Sequence, residues 1–193
     1  MINRMVKEVI KLLEDLDYFN PLKDNPKLLP TTSGFYIICL NEDSALPNTL
    51  AKANFSVYKN LRVLYVGITN AEKGIRGRDY KNHFNGNAGG STLRKSLGVL
   101  FNYKLIPRDK DITNNKKKFS KEDELKLSVW MKNNLTFFYK IFENPGRIEQ
   151  DLIDLFNPPI NLDKTKHLMI NKEIRNKISF LRSKDSPLII RFS

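Results

Sequence analysis

The chain has 193 residues, 40% of them hydrophobic and 10% aromatic, with a formal net charge of +12. That length and apolar content exclude a disordered polymer and suit one domain with a real core, and a strongly basic domain most often meets a polyanion, nucleic acid first. The single cysteine, Cys39, excludes an intramolecular disulfide; with only two histidines, His83 and His167, a Cys/His zinc site is all but excluded.

Met1 to Asp15 mixes charged and apolar residues and lacks the unbroken apolar stretch of a signal peptide. No segment approaches the ~20 apolar residues of a membrane span. A cytoplasmic setting without a membrane partner is the expectation. Met5, Val6, Val9, Ile10, Leu12, Leu13 and Leu16 form a helical stripe, so an amphipathic helix is predicted over 5–16. Asn20-Pro21, Asn25-Pro26 and Leu29-Pro30 then impose an extended connector.

Phe35 to Leu40 and Val63 to Ile68 read as strands. Alternation puts Tyr36, Ile38 and Leu40 on one face of the first, and Val63, Tyr65 and Gly67 on one face of the second. The segment between them, 41–62, exceeds a hairpin loop and is predicted as a partly helical insertion. A turn and a helix follow over 72–85, carrying Arg76, Arg78, Lys81 and His83. Ser91 is a helix cap for a segment reaching Leu100, and Ser120 caps another reaching about Asn133. Between them lies a polar, lysine-rich loop over 109–118. Its Lys116-Lys117-Lys118 run and Lys110 offer cations to a phosphodiester backbone, although such runs are usually solvated faces.

Leu135 to Phe142 is a third predicted strand. Ile148, Leu152, Leu155 and Phe156 make a helical stripe that Asn157-Pro158-Pro159 stops, with Glu149 at its edge. A last helix is predicted over 170–182, with Ile170, Ile174, Ile178 and Leu181 inward. Cys39, inside an apolar run, is expected in the core.

Four signals stand in one order: Gly34-Phe35-Tyr36, Tyr65-Val66-Gly67, Ile75-x-x-Arg78 with His83 beyond it, and Glu149-x-x-Leu152-Ile153 followed by Pro158 and Asn161. They supply two phenols, a cation, an imidazole, a carboxylate and a polar anchor, which are the parts for cutting a phosphodiester with one divalent ion. In this order and spacing they resemble the GIY-YIG nuclease superfamily over roughly 34–161. The resemblance implies an α/β (α+β) fold: a small three-stranded, mainly antiparallel sheet flanked by helices. The whole chain then forms one domain, with insertions at 41–62 and 88–134 and helical extensions over 1–33 and 162–193.

The resemblance further implies a metal-dependent endonuclease acting on DNA, with RNA also open as a substrate. Glu149 matches the family's metal-binding glutamate, for Mg²⁺ or Mn²⁺, and a hard cation of this kind is content with one carboxylate, retained waters and a phosphate. Arg78 matches the catalytic arginine, able to grip two phosphate oxygens, with Arg76 an alternative register. Tyr36 and Tyr65 match the motif tyrosines. One positions or deprotonates the attacking water and the other orients that phenol; Tyr36 is assigned the first, base-like role and Tyr65 the second, and the reverse assignment is open. His83 stands where some members carry a histidine, with one residue more between it and the arginine. It would relay a proton from Tyr36 or bind a phosphate. Asn161 matches the asparagine that anchors the site. The alternative reading is a nucleic-acid-binding module that keeps this fold without turnover.

Overall fold

The computed structural model describes residues 4–70, 74–109 and 116–184. Its centre is Gly34–Leu40 (β2), whose seven residues are all buried because protein covers both faces. Leu61–Thr69 (β4) pairs antiparallel on one side of β2 and Leu135–Ile141 (β7) on the other. Asp17–Phe19 (β1) extends the sheet beyond β7, and Val57–Tyr58 (β3) extends it beyond the start of β4. The sheet therefore has five antiparallel strands, in the order β1-β7-β2-β4-β3, rather than the expected three. Both extra strands are edges of two or three residues, too short for alternation to reveal. Ile106–Pro107 (β5) and Lys117–Lys118 (β6) form a separate ribbon at the margins of the expected polar loop. Lys110 lies outside the described residues.

Period-2 alternation divides the core into two layers. Phe35, Ile37 and Cys39 point to one face, against Val9 of Arg4–Leu13 (α1) and Leu152, Ile153 and Phe156 of Glu149–Phe156 (α5). Burial raises the Cys39 thiol to about pKa 12, so it is an inert core group. Tyr36, Ile38 and Leu40 point to the other face. There they meet Leu93 and Leu97 of Thr92–Leu100 (α3), Leu127 and Met131 of Lys121–Asn134 (α4), and Ile174 and Ile178 of Lys172–Lys184 (α6). Ser91 and Ser120 cap α3 and α4 as expected, accepting from the Arg94 and Asp123 N–H groups. The 41–62 insertion is partly helical, through Asn48–Ala51 (α2). Ile170 precedes α6 and is exposed, as is Leu155 on the outer side of α5, so neither joins its expected stripe.

Two irregularities separate the structure from a regular reading. The β2–β4 register slips at Ile38/Cys39: Ile38 faces Tyr65 while Cys39 faces Val63, leaving Leu64 as a bulge residue. Val63 consequently packs on the α1/α5 face, whereas Leu64 and Tyr65 both turn to the other. The expected sharing of a face by Val63 and Tyr65 fails because a bulge resets alternation. Secondly, Ile75–Asn85 is wound as a π-helix rather than an α-helix. Gly74 starts it at φ +53°, where a Cβ would lie 2.1 Å from the Thr31 carbonyl carbon, so only glycine fits. Ile75, Asp79, Tyr80, His83 and Phe84 are its buried face, a spacing of four to five that suits i→i+5 winding. Tyr80 stacks on Phe84 at 4.9 Å and meets Phe19 of β1 edge-on.

Candidate active site

Tyr36 stands in the middle of β2 and is almost fully buried. Its register partner on β4 is Gly67, and a Cβ there would lie 2.3 Å from the Tyr36 hydroxyl oxygen and 2.4 Å from Cζ. Gly67 thus supplies the space in which the ring lies. Phe137 stacks on that ring at 5.1 Å. Tyr65, diagonal to Tyr36 across the pair, has its ring 6.4 Å away and nearly parallel. His83 comes down from the π-helix onto both phenols, 5.6 Å from the Tyr36 ring and 5.8 Å from that of Tyr65. Its Nε2 is 2.7 Å from the Tyr36 hydroxyl, and its Nδ1 is 2.7 Å from Ser91 Oγ. Gly67→Ala is expected to push the Tyr36 ring off its seat at a cost of about 1–3 kcal/mol. Thermal unfolding reads that loss.

Electrostatics give the two phenols different characters. Burial, followed by the carboxylates of Glu149, Asp163 and Asp79, raises the Tyr65 pKa strongly, so Tyr65 remains a neutral phenol and a donor. Burial and then the Arg94 charge push His83 down to about 3, so its imidazole is neutral throughout the physiological range. A neutral imidazole has one donor and one acceptor nitrogen, and both are already used. A direct phosphate-binding role for His83 would therefore break an existing bond.

Behind His83 stands Arg94 of α3, fully buried. Its Nε and one terminal nitrogen donate to Glu124 Oε2, and its remaining N–H groups reach the His83 carbonyl, the Glu124 carbonyl and Ser128 Oγ. Glu124 Oε1 accepts from the Ala88 and Phe119 N–H groups. This cluster ties α3 and α4 to the end of the π-helix, from which His83 projects.

Glu149 is the first residue of α5, on the opposite face of the sheet, and its side chain is 21% exposed. It nevertheless acts on the Tyr65 phenol around the β4 edge. Its Oε2 is paired with the Lys164 ammonium. Lys164 sits in the left-handed region at φ +61°, and Gln150 holds its carbonyl at 3.0 Å. Asn161 is buried where the chain returns after α5. Its amide accepts from the Val66 N–H at 3.1 Å and donates to the Val66 carbonyl at 2.8 Å, completing the edge of β4 between Tyr65 and Gly67. The side chain of Arg78 lies outside the described residues, but its backbone belongs to the π-helix, five positions before His83. Five positions is one hydrogen-bonded turn of this winding, so the extra residue in the Arg-to-His spacing is absorbed. Arg76 is committed elsewhere, donating to the Lys27 carbonyl at 3.0 Å.

A family model described as the GIY-YIG catalytic domain matches residues 34–184. The chain belongs to the GIY-YIG family. No curated protein and no solved structure matches it. The fold is thus of the nuclease type that defines the GIY-YIG family, and its matched span takes in every strand but β1, together with α6.

Among the described residues there is no group of three or more His, Cys, Asp or Glu side chains arranged to hold a metal. The donor set at Glu149 still fits a hard cation: one carboxylate, open to water, with only Oε2 partnered among the described residues. Sequence reasoning missed Ser91 as the partner of His83, Arg94 with Glu124 as the support behind it, and Asp79 and Lys164 as charges bordering the site. Ser91 and Arg94 stand three apart, and that capping spacing gave no hint of a buried guanidinium.

Proposed function

We propose that this GIY-YIG domain is an endonuclease that hydrolyses phosphodiester bonds in DNA with one divalent cation, Mg²⁺ or Mn²⁺, at Glu149. The observation that carries this reading is the joining of Tyr36 to His83 at 2.7 Å, beside a second phenol on which the Glu149 carboxylate acts. When bound, the cation would supply Lewis-acid stabilisation of charge on the phosphate and the departing oxygen. Tyr36, its O–H turned to His83, positions the attacking water through the phenolic oxygen, and Tyr65, kept neutral, donates a hydrogen bond; the proton of the water leaves to solvent. Arg78 is the guanidinium assigned to the scissile phosphate.

Magnitudes choose between the two roles of His83. An ordinary phenol ionises near pH ~10, and His83 holds a proton only below about pH 3. That ordering keeps the Tyr36 proton on the phenol rather than on the imidazole. His83 therefore serves as a neutral acceptor that aims the Tyr36 O–H, with Nδ1–H donating to Ser91, rather than as a station where the proton rests.

The test is conversion of supercoiled plasmid by the purified chain, with and without Mg²⁺ or Mn²⁺. Wild-type protein should nick or cut only with metal, and Glu149→Gln should lower the rate by at least 10²-fold, in line with the loss of a transition-state electrostatic group. Undiminished cutting by Glu149→Gln would remove Glu149 from the metal role. Salt-sensitive binding without any cleavage would favour the non-catalytic module.

A further inference from the structure

α6 is held in place by Arg175, whose buried guanidinium donates to Asn157 Oδ1 and to the carbonyls of Pro158, Leu168 and Ile170. Two helical turns further on, Arg182 is presented from the same helix. It lines a cleft of about 590 Å³ together with Lys95 of α3, Lys117 of β6, Asp163 and Ser179. Among the described residues, three cations from three separate elements thus share this concavity with one carboxylate.

The cations of the cleft act on one another. Burial lowers the Lys95 pKa, and the charges of Arg182 and Lys117 lower it further. The cleft also borders the active site, because Asp163 and Arg182 both act on the Tyr65 phenol. Concave surfaces in which one sign of charge predominates concentrate the opposite charge, here polyanions.

We infer that the cleft between α3, α6 and the β5–β6 ribbon is a binding subsite for the phosphodiester backbone of the DNA strand flanking the bond to be cut, with Lys95 and Arg182 as its phosphate contacts. The inference rests on the nuclease reading for its substrate, but it concerns a surface distinct from Glu149, Tyr36 and His83. The α6 segment beyond the sequence motifs then becomes part of the substrate platform.

The experiment measures affinity for a short fluorescein-labelled DNA duplex in EDTA, so that no cleavage is needed, over a series of salt concentrations. Lys95→Gln and Arg182→Gln should each weaken binding roughly tenfold or more and reduce the slope of log K against log salt by about one. Ser179→Glu places a carboxylate in the cleft from an exposed position, leaves the packing of α6 intact and should weaken binding similarly. Lys11→Gln on α1, across the sheet, should leave affinity unchanged within twofold. Unchanged affinity and slope in all three cleft variants would overturn the subsite even if the wild-type chain cuts DNA. An equal loss from Lys11→Gln would overturn it also, showing diffuse charge instead. Wild-type protein that never cuts DNA would defeat the nuclease reading alone, since the salt slopes decide the cleft separately.

Discussion

Tyr36→Phe is expected to lower metal-dependent DNA cleavage by about 10²–10³-fold, the usual worth of one preorganised hydrogen-bonding group at the reacting centre. The fold should survive, because Phe preserves the ring between Phe137 and Gly67 and removes only the hydroxyl bonded to His83. Single-turnover cleavage together with circular dichroism separates the two effects. A rate within threefold of wild type would transfer the water-positioning role to another group, Tyr65 being the first candidate. The same site predicts a pH signature. In the unfolded chain His83 binds a proton near pH ~6.5, whereas in the fold it stays neutral to about pH 3. Between those values the unfolded state carries the extra proton, so stability rises with pH across the window and is lost on acidification. Thermal melts should show the midpoint falling below about pH 6.5, by up to about 1.4 kcal/mol per pH unit from this group. His83→Gln should flatten that limb. The cleavage profile of the wild type should show no ionisation of His83 between pH 5 and 8, because the ring is already neutral there.

The parts of this molecule that follow local rules were legible in its sequence. The β2, β4 and β7 strands announced themselves as apolar runs, the Ser91 and Ser120 caps as hydroxyls before helical stripes, and Glu149 and Asn161 as a fixed spacing around a proline stop. What stayed hidden depends on partners distant in sequence or on departures from regular geometry. The bulge at Leu64 is invisible because Val63, Leu64, Tyr65 and Val66 are all strand formers, and only pairing with β2 decides which residue is left out. The π winding is hidden for a related reason. Its buried residues repeat at four to five positions, close enough to an α-helical pattern to pass for one. The edge strands β1 and β3 exist only because the middle of β7 and the start of β4 offer them hydrogen bonds. Arg94 and Glu124 were hardest to see, since a charged residue in sequence carries no mark of burial and these two stand thirty positions apart.

Arg94→Met is expected to destabilise the protein by about 3–5 kcal/mol, the cost of stripping one partner from a buried ion pair. For a chain of this length that is a fall of roughly 10 °C in the melting temperature. The argument rests on satisfaction rather than on charge alone. The guanidinium donates all five of its N–H groups, to Glu124, Ser128 and the His83 carbonyl. A thioether of similar volume fills the space but leaves the Glu124 Oε2 and those acceptors without their donor. Arg94→Met/Glu124→Met should recover part of the loss, because no buried charge then remains. Recovery should be incomplete, because Glu124 Oε1 also serves the N–H groups of Ala88 and Phe119. A purely structural ion pair would end there, but this one faces the active site. Its positive charge is the second cause, after burial, of the low His83 pKa, so its removal should raise that pKa part of the way toward 6.5. The acid-sensitive limb of the melting profile should accordingly narrow in Arg94→Met, a change that loss of packing by itself would not produce.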